Sequence, residues 1–150
     1  MGQLIADTYT EFNLTFAAPD LLQKMLGPFR FASSEEPEHK QAIVKILRSP
    51  IMIVAESNGE IVGVLRGRKE RLASLFVHKD YHNQGIGREL VRRFESAMIA
   101  QGVRVIRVAA TLYAVPFYKK LGYKKSTGVR TTWSFDGYGL PVQPMKKELV

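Results

Sequence analysis

The stretch LFVHKDYHNQGIGREL, residues 75–90, decides the fold of this chain. A predicted apolar strand, Leu72–Val77, runs into a polar loop that contains Gly85 and Gly87, and a predicted helix, Arg88–Gln101, follows the loop. Glycines at these positions allow a tight bend and the close approach of a ligand to the main chain. The first amides of a helix lack intrahelical partners and lie at the positive end of its dipole. The bend is therefore typical of a phosphate or pyrophosphate site.

Two common nucleotide-binding patterns do not fit the residues around this bend. A Rossmann fingerprint needs a third glycine where Leu90 stands, and an acidic residue after the next strand, where the chain has Ala109 and Ala110. A Walker loop needs Gly-Lys followed by Ser or Thr, which the sequence lacks. A phosphate site at this bend therefore belongs to another kind of protein.

Hydrophobic alternation predicts the strands on either side of the deciding stretch. The segment Ser57-Asn58-Gly59-Glu60 predicts a hairpin, because Asn-Gly supplies the two positive φ angles of a type I′ turn. The predicted strands are 51–56, 61–66, 72–77, 103–109 and 141–149, with one more around Thr131, Trp133 and Phe135 before an Asp136-Gly137 turn. Strands alternating with helices in this way indicate a mixed α/β sheet with helices on its faces.

Helical spacing and helix-ending residues predict the remaining helices. A stripe of apolar residues opens the chain, a short helix covers 21–26 and ends at Gly27-Pro28, and a loop spans 33–38. The apolar stripe that opens the chain consists of Ile5, Tyr9, Phe12 and Phe16. The helix after the loop has Ile43, Ile46 and Leu47 on one face and ends at Ser49-Pro50. A last short helix is capped by Thr111 and runs through Pro116 to Leu121.

Composition limits the classes of protein to consider. The 150 residues are 45% hydrophobic and 24% charged, which predicts a single globular domain, 1–150. No apolar run approaches a membrane span and no signal peptide is recognised, so we expect a cytoplasmic protein without membrane contact. The absence of cysteine excludes disulfides and a thiol nucleophile, and the three scattered histidines predict no metal site. The net charge of +8 favours anionic partners.

Two segments together resemble the GNAT superfamily of N-acetyltransferases. Residues 75–90 resemble its acetyl-CoA signature, Arg/Gln-x-x-Gly-x-Gly/Ala before a helix, and YAVPFYKKLGY, residues 113–123, resembles its second motif, Ala-x-x-Phe-Tyr-x-x-x-Gly-Phe/Tyr. The motifs occur in the family's order, and the resemblance covers roughly residues 3–149. It implies an α/β fold with a mixed, mostly antiparallel sheet of six or seven strands, helices on both faces, and central parallel strands splayed at the acetyl-CoA site.

The sequence departs from the family pattern at three places. His82 stands where the family prefers Arg or Gln, so we expect the backbone amides to provide most of the grip there. Thr111 stands where many members have Asn, and both residues can cap a helix. The family's usual first strand has no evident counterpart, because the chain opens directly into a helix.

The resemblance implies acetyl-CoA as cosubstrate and an amine as acceptor. Tyr118 matches the family's tyrosine beside the leaving thiolate, and the Val77 amide is the expected donor to the thioester oxygen. The expected cofactor-binding residues are Phe76, Val77, His82, Asn83, Gln84, Gly85, Ile86, Gly87, Arg88, Thr111 and Tyr118. The basic side chains expected near the phosphates are those of Arg88, Arg92, Lys119, Lys120, Lys124 and Lys125.

The base that deprotonates the amine and the acceptor itself stay open at this stage. Glu70, at the start of the central strand, is the first acidic alternative for the base, followed by Asp80 and by His78 as a proton relay. Aromatic residues near the termini are candidates for an acceptor pocket: Tyr9, Phe12, Phe16, Trp133, Phe135 and Tyr138. The positive charge tilts the expected acceptor toward acidic compounds, although the coenzyme alone accounts for it, and a homodimer is left open.

Two rival functions remain. A GNAT fold without activity could bind acyl-CoA as a sensor module. The charge of +8 also prompts a nucleic-acid-binding protein, but no nucleic-acid motif is recognised and the basic residues are dispersed.

Overall fold

The computed structural model describes residues 1–8, 10–11, 26–134 and 137–150, with the backbone alone for 133, 134, 137 and 138. The α-helices in these ranges are α1 (Gly2–Thr8), α2 (Pro37–Leu47), α3 (Ile86–Ala100) and α4 (Val115–Lys120). The strands are β1 (Ile51–Ser57), β2 (Glu60–Arg68), β3 (Arg71–Val77), β4 (Val105–Thr111), β5 (Lys124–Lys125), β6 (Arg130–Ser134) and β7 (Gly137–Glu148). Short 3₁₀ helices occupy Gly27–Phe31, Lys79–Tyr81 and Leu112–Ala114. Across the described ranges, no helix has the length and apolarity that a bilayer crossing requires.

The strands form one seven-stranded sheet in the order β1-β2-β3-β4-β7-β5, with β6 also paired to β7. All neighbours are antiparallel except β3 and β4, which run parallel at the centre. Apart from the two register positions at which they pair, Arg71 with Arg107 and Leu72 with Val108, β3 and β4 share no ladder. The two strands therefore diverge toward Val77 and Thr111, which confirms the mixed sheet and the central splay.

Each face of the sheet carries its own hydrophobic core. One core lies under α1 and α2 and includes Ile5, Phe29, Ile43, Val64 and Phe76. The other lies under α3 and α4 and includes Leu65, Leu72, Phe94, Met98, Ile106, Tyr118 and Tyr123. Successive strand residues point to opposite faces, which is why adjacent residues of β2 enter different cores. Below, these are called the α1 face and the α3 face.

The Asn-Gly hairpin and the end of the 21–26 helix are confirmed, and the predicted Thr111 cap needs correction. Asn58 and Gly59 have φ angles of 51° and 80°, as a type I′ turn requires. The predicted end of the 21–26 helix is confirmed, because Leu26 is its last α-helical residue and a 3₁₀ helix begins at Gly27. Thr111 does precede a 3₁₀ helix, but its side chain makes no capping hydrogen bond there.

Helix α3 and strand β4 are both displaced by two residues from their predicted starts. The helix begins at Ile86, directly after Gly85 ends the bend with a φ of 84°. Strand β4 begins at Val105, because the Val103 amide still donates to Met98 O, 3.0 Å away, in the C-terminal cap of α3. The predictions for Tyr9, Phe12, Phe16, for most of the 21–26 helix and for Phe135 lie outside the described residues.

Candidate functional site

The bend between β3 and α3 is formed by a 3₁₀ turn and two residues in the left-handed region. Asn83 has a φ of 59° and Gly85 a φ of 84°. A Cβ atom on Gly85 would meet no atom within 4 Å, so this part of the bend opens to solvent. The geometry leaves room for a ligand against the backbone.

The backbone amides of this bend are free to donate. Within the part of the chain that the structure describes, none of the amides from Gln84 to Arg88 donates to a protein acceptor. The first bonded amide is that of Glu89, which donates to Gly85 O at 3.0 Å. A row of unpaired amides at the start of a 15-residue helix is an anion site.

Gly87 brings the two sequence motifs together in space. A Cβ atom there would lie 3.2 Å from Phe117 Cζ and 3.7 Å from Val77 Cγ2. The first turn of α3 therefore approaches both α4 and the end of β3 closely, which a larger residue at position 87 would prevent.

A bulge in β3 determines which peptide groups face the splay. Arg66 pairs with Ser74 but Gly67 pairs with Leu72, so Ala73 is an extra residue in the ladder with β2. Before the bulge, the carbonyl of Glu70 faces β4, because it accepts the Arg107 amide. After the bulge, the alternation shifts by one residue, so positions that would otherwise face β4 face β2, and positions that would otherwise face β2 face β4.

This change of phase turns the amide of Val77 toward the splay. The His78 amide donates to Val62 O on β2 at 2.8 Å, so the peptide groups of Phe76 face β2 as well. Those of Leu75 and Val77 face the other way, toward β4, where the described residues provide no ladder partner. No pattern in the sequence indicates this bulge, and it makes Val77 rather than Phe76 the available donor.

His82 holds the bend against the strand. Its Nε2 lies 2.7 Å from Val77 O. Because a carbonyl only accepts, the Nε2 atom carries the proton. The ring was expected to contribute to cofactor binding directly, and the structure instead gives it a hydrogen bond that fixes the end of β3.

Tyr118, which belongs to the second motif, lies buried on the α3 face. Its side chain is 4% exposed and packs edge-on against Phe117 and Tyr123, with ring centroids 5.1 Å and 5.4 Å away. Burial raises the pKa of the Tyr118 hydroxyl above its ordinary value of 10.0. The hydroxyl is therefore a donor that stays protonated.

A polar cluster that the sequence did not reveal lies behind Tyr118. Lys147 Nζ is 3.0 Å and 2.9 Å from the two carboxylate oxygens of Glu95. It also lies 5.7 Å from the ring centre of Tyr123. Burial, followed by the negative charge of Glu95, raises the pKa of Tyr123. The residues of this cluster are far apart in sequence, so no local pattern could have identified it.

Glu70 does not lie with the other expected site residues. It is exposed in the turn before β3, with a φ of 67°. Val77 ends the same strand, and seven extended residues span about 20 Å. Glu70 is therefore at the wrong end of β3 to serve as the base, and its predicted catalytic role does not fit this position.

Of the other residues considered for the base or for the phosphates, some make hydrogen bonds within the protein and others are exposed. His78 Nδ1 accepts the Asp80 amide at 3.1 Å, so this nitrogen is not available as a base in that form. Arg92 makes two hydrogen bonds of 2.7 Å to Glu89. Arg88, Lys119, Lys120, Lys124 and Lys125 are exposed.

The remaining expected residues lie on both faces of the sheet and on both sides of the splay. Phe76 is buried on the α1 face, and Ile86 is half-buried in the first turn of α3. Thr111 is half-buried at the end of β4, on the far side of the splay from Val77. In the described ranges, no group of three or more His, Asp or Glu residues is arranged to hold a metal ion.

Known acetyltransferases are similar to this chain in sequence and in fold. The model of the acetyltransferase (GNAT) domain matches residues 28–149. A GCN5-related N-acetyltransferase from Rhodopseudomonas palustris has a TM-score of 0.76 at 19% identity, covering 99% of this chain and 87% of its own. The PaiA N-acetyltransferase of Thermoplasma acidophilum, in complex with coenzyme A, has a TM-score of 0.68 at 18% identity, covering 99% and 90%.

An aminoglycoside 6′-N-acetyltransferase complexed with coenzyme A is also similar, with a TM-score of 0.59 at 20% identity and coverage of 87% of this chain and 90% of its own. At these identities the solved structures establish the fold, whereas the domain model covers most of the sequence and both motifs. The chain therefore belongs to the GNAT acetyltransferase family.

Proposed function

We propose that this protein transfers the acetyl group of acetyl-CoA to a primary amine by direct attack, without an acyl-enzyme. The observation that carries the proposal is the row of unbonded amides from Gln84 to Arg88, which lies beside the splay and Tyr118. Two solved relatives of the same fold hold coenzyme A, which supports a diphosphate as the anion.

The chain's own groups fit both ends of such a cosubstrate. The amides from Gln84 to Arg88 would bind the diphosphate, and the splay between β3 and β4 would take the pantetheine arm. The exposed side chain of Arg88 is the nearest cation in sequence and carries no ion pair among the described residues. Binding then rests mainly on backbone atoms, which explains why His82 can replace the usual Arg or Gln.

The transfer needs a donor for the charge that develops on the thioester oxygen. The amine nitrogen bonds to the carbonyl carbon, the carbon–sulfur bond breaks, the amine loses a proton, and the sulfur leaves as thiolate to be protonated as coenzyme A. The Val77 amide faces the splay and would donate to the oxygen in the transition state. The Val77 carbonyl accepts a hydrogen bond from His82 Nε2, which holds the end of β3 in place.

Tyr118 would stabilise the departing thiolate by a hydrogen bond rather than by giving up its proton. A thiol has a pKa near ~8.5 and an unperturbed tyrosine near ~10, so proton transfer costs about 2 kcal/mol even before burial. Burial raises the pKa of Tyr118 further. A hydroxyl that remains protonated can still donate, and solvent supplies the final proton.

Deprotonation of the amine is left to solvent or to a water chain. A lysine-like amine with a pKa of ~10.4 costs about 4.6 kcal/mol to neutralise at pH 7. Glu70 is too distant, and the Nδ1 of His78 already accepts a backbone amide. We therefore assign no residue of this chain as the general base. The cytoplasmic location and the homodimer stay predictions from the sequence.

A calorimetric titration with acetyl-CoA, followed by an amine panel that detects free thiol, tests this function. We expect binding and amine-dependent thiol release, with no release when the amine is omitted. Binding without transfer to any amine would contradict the enzyme and favour a sensor. Salt-dependent binding of DNA or RNA without coenzyme binding would instead favour a nucleic-acid-binding protein.

A further inference from the structure

A cavity lies on the α1 face, at the end of β3. Its volume is about 340 Å³, which is in the range of small-molecule sites. The described residues that line it are Asp7, Thr8, Thr10, Glu11, His78 and Lys79. None of them belongs to the row of unpaired amides from Gln84 to Arg88, and none is a glycine of the two motifs. The cavity is therefore distinct from the amide row.

The cavity adjoins the end of β3 that carries Val77, on the face of the sheet opposite to α3. His78 lines it and directly follows Val77, whose amide faces the splay. Phe76 packs in the core under α1, whereas Val77 packs in the core under α3. Because side chains alternate, His78 points to the α1 face, and the splay connects the two faces. An acceptor in the cavity would reach the thioester across the sheet.

The charges of the described residues that line the cavity are not balanced. Glu11 Oε2 is 3.6 Å from Lys79 Nζ, so this carboxylate has a cationic partner. The Asp7 carboxylate accepts a hydrogen bond of 2.6 Å from the Gln3 amide, which is neutral. The charge of Asp7 is therefore uncompensated by any ion pair among the described residues. The described lining of the cavity is therefore locally negative, although the chain as a whole has a net charge of +8.

We propose that the cavity takes an acceptor with two amino groups, and that Asp7 pairs with the group that is not acetylated. This inference rests on the proposed acetyl transfer and names the class of its acceptor, a diamine or a longer polyamine. One amine, as the neutral base, attacks the thioester, while the other remains an ammonium ion beside Asp7. The whole-chain charge, by contrast, tilted the expected acceptor toward acidic compounds.

The test compares 1,5-diaminopentane, pentylamine and aspartate as acceptors for the wild type and for Asp7→Asn, with free thiol as the readout. We expect the diamine to be preferred over the monoamine. Asp7→Asn should raise the KM for the diamine about fivefold, as for a partly exposed ion pair, with kcat unchanged. The KM for pentylamine should not change, and Asp7→Glu should restore diamine binding. Glu148→Gln is the matched control, because Glu148 is exposed and pairs with Val105 at the opposite end of the sheet.

The outcomes separate this inference from the proposed function. Equal use of diamine and monoamine, a preference for aspartate, or an Asp7→Asn effect that is the same for both amines would overturn the inference alone. Acetyl-CoA binding with no transfer to any of these three amines would overturn the inference, and it would overturn the proposed function as well only if the wider amine panel also released no free thiol.

Discussion

The two faces of the central sheet differ in the kind of atom that makes each site. On the α3 face, the site is built from backbone amides of the bend and from Val77, and glycines shape it. On the α1 face, the described cavity lining consists of side chains, and Asp7 makes no ion pair with any described residue. Backbone donors suit a cosubstrate that a whole family shares, whereas side chains can change between members without altering the fold. In the proposed function, the α3 side binds the cosubstrate and the α1 side selects the acceptor.

Removing the Tyr118 hydroxyl gives the largest expected effect on the α3 face. Tyr118→Phe should lower kcat about 100-fold, because the thiolate loses a preorganised donor, and should leave acetyl-CoA binding unchanged. Steady-state kinetics with calorimetry measures both quantities. The matched control is Tyr123→Phe, which removes the hydroxyl of the adjacent buried ring, beside Glu95, and should retain kcat. Equal losses in the two variants would show that packing, not the Tyr118 hydroxyl, matters.

A substitution in the bend should weaken cofactor binding. Gly85→Val forces a β-branched residue into a φ of 84° and places its side chain in the open space of the amide row. We expect the Kd for acetyl-CoA to rise about 30-fold by calorimetry.

Gly102→Val provides a control with the same backbone strain. Gly102 has a φ of 76° and a Cβ atom there would also meet no neighbour within 4 Å, but it follows the C-terminal end of α3, the opposite end of this 15-residue helix from the bend. Both variants should lose similar thermal stability, and only the bend variant should lose affinity. A loss of affinity in both would indicate a global effect.

The pH dependence of turnover should follow the amine and not Tyr118. The attacking amine must be neutral, so kcat/KM should rise about tenfold per pH unit from pH 7 toward the amine pKa of ~10. Because burial raises the pKa of Tyr118, its hydroxyl stays protonated over this range and no decline should occur. A descending limb below about pH 10, with the protein still folded by circular dichroism, would contradict the assigned state of Tyr118.

The smallest expected effect concerns the charged first turn of α3. Hydrogen bonds from Arg92 and then Arg93 lower the pKa of Glu89 to about 2, so its charge persists at neutral pH. Glu89→Gln should tighten acetyl-CoA binding about threefold, because a negative charge near the diphosphate is removed and two guanidinium groups are released. The gain should disappear in high salt. Unchanged affinity at low salt would place the diphosphate away from this turn.

The features of the fold also differ in how far the sequence predicts them. The bend and the hairpin follow from local glycines and from hydrophobic alternation, which act over a few residues, whereas the splayed parallel pair is expected only from the resemblance to the GNAT superfamily. The β3 bulge at Ala73 and the Glu95–Lys147 pair depend on register and on residues distant in sequence, so no local pattern indicates them. The error over Glu70 has the same origin, because adjacency to a strand does not say which end of it holds the chemistry.

The most direct test of the central claim is an amide-resolved ¹H–¹⁵N spectrum of the protein titrated with coenzyme A. The backbone amides from Gln84 to Arg88 are predicted to show the largest downfield proton shifts, as expected when free donors acquire a charged acceptor. The amide of Gly102, beyond the C-terminal end of α3, should not move. Binding of coenzyme A with unchanged amides at 84–88 would contradict the account.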